Sequence, residues 1–361
     1  MGIYLFIVIL IIYLNFIIKP NYRNRSSRIY LIYLYVIITF LMCVRTRYVG
    51  ADTIQYYNAF KTLDRHSLDW AINNYRYEIG FSAFCKALSF VSHDSQMLII
   101  ISSLCIFSSV FFFLYRNSED LHGSLLIFIF LNYFFLYISA MRQAIAISIL
   151  LLGYTFFYRN DKYIKFFITV LLAALFHSSA IICVIFIFIP KNTEYKKNIL
   201  YFMIVLSIVC FVFSNEIFSF FMKTSKYGYY EESEDYTGSA FAGYLNYFMC
   251  LAILLFSFVY RPKPYYNNIN YNKYLYFVSI NLVFYALAAK ISIFTRVTSF
   301  FDIFNCIYIP IALKNINSLN NKKMISSMFW CLLFAHWIII AVYRPEWYGA
   351  IPYESIFFRR N

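Results

Sequence analysis

The chain has 361 residues, of which 62% are hydrophobic, 23% aromatic and only 13% charged, with a formal net charge of +14. That is far more apolar than a soluble domain of this length needs for its core, which excludes a string of soluble domains. The basic residues are scattered among short connections and not gathered on one polar face, so they signal membrane topology and not nucleic-acid binding.

The first apolar run, GIYLFIVILIIYLNFII, has no basic residue before it and no small-residue cleavage site after it. It is expected to be a retained span and not a removed signal peptide. The basic connection KPNYRNRSSR follows, and four others recur along the chain: YRNDKYIK near Arg159, PKNTEYKK near Lys196, RPKPYYNNINYNK near Arg261 and LKNINSLNNKK near Lys322. The positive-inside rule assigns all five to the cytoplasm. The alternate connections then lie outside: Arg45 to Ser95, the Ser139 region, Phe176 to Ser179, Asn215 to Tyr244, Lys290 to Arg296, and the tail from Arg344. Both ends of the chain fall outside in this scheme.

The connection after the second span, RTRYVGADTIQYYNAFKTLDRHSLDWAINNYRYEIGF, sets Arg47, Asp52, Tyr56, Tyr57 and Glu78 just outside the membrane. Carboxylates with aromatic faces and amides suit sugar binding, and a carboxylate pair is the usual minimum for glycosyl chemistry. The next apolar stretch, EIGFSAFCKALSFVS, is short and carries Lys86, as an interfacial or re-entrant helix would.

Within the apolar run from Gly123 to Tyr158 lies SAMRQAIAIS, centred on Arg142 and Gln143. A charge at bilayer depth costs about 2.5–3.5 kcal/mol on insertion scales, so it normally faces a cavity or a partner. Helical steps of three and four put Ser139, Arg142, Gln143, Ala146 and Gly153 on one small, polar stripe turned toward the bundle. The segment FFITVLLAALFHSSAIICVIFIFIP is too long for one simple span and too short for two. A broken helix or a tight hairpin turning at His177 is expected, beside Ala173, Ala174, Ser178 and Ala180. Further on, AAKISIFTRVTSFFD repeats the pattern with Ser292, Arg296, Ser299 and Asp302, where an Arg296–Asp302 pair would neutralise the arginine. His336 has no such companions and reads as structural.

The eight cysteines lie mostly in apolar runs and never as CxxC, so they are expected to pack as small hydrophobes, with no metal site and no cofactor.

RYVGADTIQYYNAF, then YEIGF, then MRQAIAISILLLGYTFFYRNDKYIKFFITVLLAALFHSSAI resemble, in order and spacing, the EpsG family of bacterial exopolysaccharide and O-antigen polymerases, a Wzy-type branch. The closing EWYGAIPYESIF fits more loosely, and beyond Lys191 little else matches except Arg296. The resemblance implies metal-independent glycosyl transfer at the outer face of the bacterial cytoplasmic membrane. It would join oligosaccharide repeat units carried on undecaprenyl pyrophosphate, in contact with membrane lipid and other polysaccharide-assembly proteins. Carried onto matching positions, Arg47 with Asp52, Glu78, Arg142 with Gln143, and His177 would line the site, with Ser178 beside it.

Chemistry divides these roles in part. The leaving lipid pyrophosphate gathers negative charge, which guanidinium forks meet well, making Arg142 and Arg296 the expected clamp. The acceptor hydroxyl needs a base, either His177 or one of Asp52 and Glu78. The expected fold is one all-α, GT-C-like polytopic bundle over residues 1–361, with roughly ten to twelve transmembrane helices. It includes re-entrant or interfacial segments, an outward-facing polar cavity and external loops at 45–95 and 215–244. Two other classes share some of these features. Another polyprenyl-linked-donor glycosyltransferase or acyltransferase would use the same clamp, and a lipid-linked oligosaccharide transporter would show internal repeats, of which none stands out.

Overall fold

A computed structural model describes residues 1–21, 24–189, 195–217, 219, 240–261, 269–316 and 319–357. Among these the chain is helical, with one isolated antiparallel bridge between Arg45 and Ser355. Most of the 215–244 connection, including EESED, and Lys263 lie outside the described residues.

The helices are α1 (Gly2–Ile18), α2 (Arg25–Cys43), α3 (Thr53–Arg65), α4 (Leu68–Asn74), α5 (Ile79–Ser89), α6 (Gln96–Asn117), α7 (Leu121–Phe130), α8 (Tyr133–Ser139), α9 (Met141–Phe156) and α10 (Tyr163–Ala174). A 3₁₀ segment, Ser178–Phe188, comes next. Then follow α11 (Lys197–Val212), α12 (Ala240–Val259), α13 (Ile269–Ala288), α14 (Thr295–Asp302), α15 (Asn305–Lys314) and α16 (Leu319–Tyr343). The protein is an all-α, multi-pass membrane protein. Five helical stretches are long and apolar enough to cross a bilayer, or seven if α7 with α8 (bent 61°) and α14 with α15 (bent 51°) each make one span. Against the ten to twelve spans expected from the apolar runs of the whole chain, the described residues hold these five to seven candidates. Five of those runs fold as shorter apolar helices of 10–17 residues.

The chain divides into two compact units, residues 1–187 with 324–361, and residues 188–323. In the first, α9 is the central element, and most of its residues are buried. It packs on α6 and α10, and α6 in turn packs on α2. Gly153 lets α10 approach closely, because a Cβ there would run into Thr169. In the second unit α13 packs on α11, α12 and α14. Buried hydroxyls tie this group together: Ser207 with the Tyr247 hydroxyl (3.0 Å), and the Tyr271 hydroxyl donating to the Ser257 carbonyl (2.9 Å).

The segment around His177 is a hairpin. Phe166 near the start of α10 stacks on Phe186 near the end of the 3₁₀ segment, with ring centroids 6.0 Å apart. The Tyr158 hydroxyl closes the open end by donating to the Phe186 carbonyl (2.9 Å). The two arms, of 12 and 11 residues, reach about 18 and 22 Å at helical and 3₁₀ rises, short of a hydrocarbon core of about 30 Å. The first arm starts after the basic connection at Arg159 and the second runs on to residue 189, so the two are joined at a turn with His177 at its tip.

Four connections of the first unit that were expected on one side do meet one another. Glu78 contacts Arg142 and the Ser178 N–H, and the Ala51 N–H reaches the Ser139 hydroxyl (3.4 Å) and the Tyr348 carbonyl (2.8 Å). The tail from Arg344 is laced to loop 44–51: Thr46 N–H to the Glu354 carbonyl (3.0 Å), Gly50 N–H to the Gly349 carbonyl (2.7 Å), and Ile356 N–H to the Val44 carbonyl (2.9 Å). Gly50 makes this lacing feasible. Its φ is +106°, and a Cβ would stand 2.9 Å from the Ile138 carbonyl oxygen.

Beneath the loop lies Arg45, 1% exposed, donating through Nη1 to the Met42 carbonyl (2.9 Å) and the Ser103 hydroxyl (2.8 Å). Burial pushes its guanidinium down to about 10, with the Tyr4 and Tyr353 hydroxyls opposing, so it stays charged at neutral pH.

Two outcomes follow for this architecture. Gly50→Ala should lower the melting temperature in detergent and open the tail to protease, because the positive φ and the contact at Ile138 cannot both persist. In a background without native cysteines, an impermeant thiol reagent should label exposed Asn73→Cys but not exposed Asn160→Cys in intact cells. The reverse labelling would invert the orientation taken from the basic connections.

Candidate active site

Glu78 precedes α5, and the next residue but one, Gly80, docks that helix on the hairpin tip. The Gly80 N–H donates to the Leu175 carbonyl (2.8 Å), one of the groups that the break after α10 leaves without a helical partner. The approach is possible only because Gly80 lacks a side chain; a Cβ would sit 2.6 Å from that same oxygen.

Docking brings the Glu78 carboxylate to three groups on two other elements. It accepts from Arg142 Nη1 and from the Ser178 backbone N–H (3.2 Å), and His177 Nδ1 stands 3.7 Å away. Arg142 and Glu78 are 16% and 22% exposed at their side chains, and His177 is 8% exposed, so the group is half-enclosed and still reachable. The Arg142 guanidinium lies over the Tyr77 ring at 4.1 Å and near the Tyr56 ring at 5.7 Å, a placement worth about 2 kcal/mol or more when desolvated.

Tyr56 is buried, and its hydroxyl donates to Asp52 Oδ2 (3.3 Å). Burial pushes that hydroxyl well above its usual range; Asp52 adds to the shift and Arg142 opposes it. Tyr56 therefore acts as a neutral hydrogen-bonding wall. From Tyr77 a run of rings continues outward through Tyr75 (5.4 Å) to Trp70 (6.3 Å), with Trp70 stacked on His66 (3.8 Å).

The expected site residues thus separate. Glu78, Arg142, His177 and Ser178 converge, with Tyr56 and Asp52 behind them. Arg47 and Tyr57 form a neighbouring cluster with Tyr48, the Arg47 guanidinium being 4.9 Å from Tyr48 and 5.4 Å from Tyr57. Gln143 is buried in α9, one residue from Arg142. Ser139 is not on the Arg142 stripe: α8 ends there and Ala140 breaks the helix before α9 begins, so its hydroxyl turns to the Tyr348 carbonyl.

Arg296 belongs to the second unit, where it is exposed. Asp302 in that unit is buried and accepts from Asn281 Nδ2 (2.9 Å) and the Tyr285 hydroxyl (2.8 Å). Among the described residues no cluster of three or more His, Cys, Asp or Glu is placed to hold a metal ion.

Tyr77 and Gly80 are the site residues that sequence reasoning passed over. Their only signal is adjacency to Glu78 in YRYEIGF.

Gly80→Ala tests the docking directly. It touches none of the polar groups, but it should push α5 off the hairpin tip and separate Glu78 from Ser178. A displacement of about 1 Å is enough to lower turnover on the order of a hundredfold, measured at unchanged protein level in the membrane. Unchanged turnover would mean that the Gly80–Leu175 contact does not set the site.

No curated protein and no solved structure matches this chain. The family match, by contrast, reaches well past the first half of the chain where the resemblance was strongest in sequence, and it takes in the Glu78, Arg142 and His177 segments, Arg296 and the tail. With its profile matching residues 28–355, the chain belongs to the EpsG family.

Proposed function

We propose that the protein is a polysaccharide polymerase that joins oligosaccharide repeat units carried on undecaprenyl pyrophosphate, by glycosyl transfer at the outer face of the bacterial cytoplasmic membrane. Family membership supports exopolysaccharide biosynthesis. The observation that carries the reaction type is the convergence of Arg142, the Ser178 N–H, Glu78 and His177 at the tip of a hairpin whose arms lie in apolar sequence.

In this reading the acceptor hydroxyl oxygen attacks the anomeric carbon of the donor glycan. The bond from that carbon to the pyrophosphate oxygen breaks, and its electron pair leaves with the lipid pyrophosphate. Arg142 and the Ser178 N–H stabilise the charge that gathers there. The hydroxyl proton passes to the His177–Glu78 pair, within reach of the same place. Pyrophosphate departs without protonation, so a second carboxylic acid of the glycosidase kind is not required. The rings from Trp70 to Tyr77 provide faces for the sugars, and Arg47 with Tyr57 a second platform nearby.

Purified protein given lipid-linked repeats and no nucleotide sugar should make a ladder spaced by whole units and release undecaprenyl pyrophosphate. A need for a separate monosaccharide donor would point to another lipid-donor transferase, and movement of intact units between leaflets to a transporter. In the same assay Arg142→Ala should lower turnover at least about a hundredfold, as loss of an anion-stabilising group does. Arg142→Lys should restore little, since an ammonium cannot reproduce the guanidinium fork or its stacking on Tyr77.

A further inference from the structure

Glu78 directs its carboxylate away from the helix it precedes. It makes no capping bond to α5, and it is held by Arg142, by the Ser178 N–H at 3.2 Å and beside His177. Arg142 and the Ser178 N–H are also positioned by contacts that do not involve Glu78. Arg142 is fixed by α9 and by the faces of Tyr77 and Tyr56. The Ser178 N–H opens an 11-residue 3₁₀ segment, whose first N–H groups have no partner within the segment and present partial positive charge. A guanidinium and a helix end aimed at one point form an oxyanion site, and here a carboxylate from the same chain fills it.

The occupant is not sealed in. Its backbone neighbourhood is pinned by the Gly80–Leu175 hydrogen bond, so rotation about the Glu78 side chain would move the carboxylate without moving the loop. The Glu78 side chain is 22% exposed, so a solute can reach it.

We propose that Glu78 is the resident occupant of an oxyanion site formed by Arg142 and the Ser178 N–H, and that the substrate's pyrophosphate takes its place there. This rests on the glycosyl-transfer reading of the same site. Glu78 gives one oxygen to Arg142 and the other to the Ser178 N–H, whereas a pyrophosphate group carries more negative charge and has oxygens enough to fill the guanidinium fork and meet the N–H together, so the exchange favours the substrate. Displaced Glu78 remains beside His177, no longer neutralised by Arg142. The proton acceptor is thereby released only when the donor is seated, and an empty site holds its carboxylate in an ion pair.

Binding of inorganic pyrophosphate to the purified full-length protein, measured by titration calorimetry at low ionic strength, tests this. Glu78→Gln should bind pyrophosphate at least tenfold more tightly than the unaltered protein. Glu78→Asp, too short to reach Arg142 and Ser178 together, should also bind more tightly, and adding Arg142→Gln to Glu78→Gln should abolish binding. Melting temperatures establish that each variant is folded; if Glu78→Gln is not, Glu78→Asp decides. Equal or weaker binding in the folded Glu78 variants would overturn the proposal, as would tight binding that survives Arg142→Gln. Whole-unit ladder synthesis without tightening would reject the displacement and leave the polymerase reading intact. Tightening without any ladder would retain the oxyanion site and reject polymerisation.

Discussion

A hairpin that turns inside apolar sequence exposes backbone groups that a bilayer will not hydrogen-bond, and the site of the first unit depends on how two of them are supplied. The end of α10 presents the Leu175 carbonyl, and the start of the 3₁₀ segment presents the Ser178 N–H. One short stretch, Glu78 to Gly80, answers both: the Gly80 N–H meets the carbonyl and the Glu78 carboxylate meets the N–H. The contact that makes the turn tolerable thus delivers a carboxylate to Arg142. Structure and site are the same set of bonds, which is why a glycine with no chemistry of its own sits at the centre of the arrangement.

Much of this was legible in the sequence where composition and cost agree. Arg142 and His177 stand out because polar groups in apolar runs need a reason, and the length of the His177 segment announces its turn. The expectations failed where local periodicity was extended through a break. Ser139 was assigned to the Arg142 stripe by counting, but Ala140 interrupts the helix and sends Ser139 to the tail. Span number is less legible, since an apolar run shows that a segment is buried or faces lipid, not that it is straight or of full length. Arg45, Tyr77 and Gly80 were missed because their roles exist only through contacts distant in sequence: Arg45 with Ser103, Gly80 with Leu175, and Tyr77 with Arg142.

Two arginines of the first unit, Arg45 and Arg142, show how differently one residue type is used. Arg45 is wholly enclosed and meets only carbonyls and a hydroxyl in its described hydrogen bonds, so it fixes the base of loop 44–51 without offering its charge to a ligand. Arg142 is partly exposed, backed by aromatic faces and paired with the Glu78 carboxylate. Burial that serves the first as an anchor would keep the second from any solute.

The lacing of the tail to the loop also bears on how the molecule comes into being. The Tyr4 hydroxyl donates to the Ala350 carbonyl across a separation of 346 residues, and Thr46 and Gly50 wait for partners at Glu354 and Gly349. During synthesis the loop emerges early, and its closing contacts emerge last. Pairings this distant in sequence are slow to form because the loop-closure entropy must be met first. The hairpin tip and α9 can therefore be in place in the bilayer while the loop beside them is still open, which makes the laced face the last part of the first unit to mature.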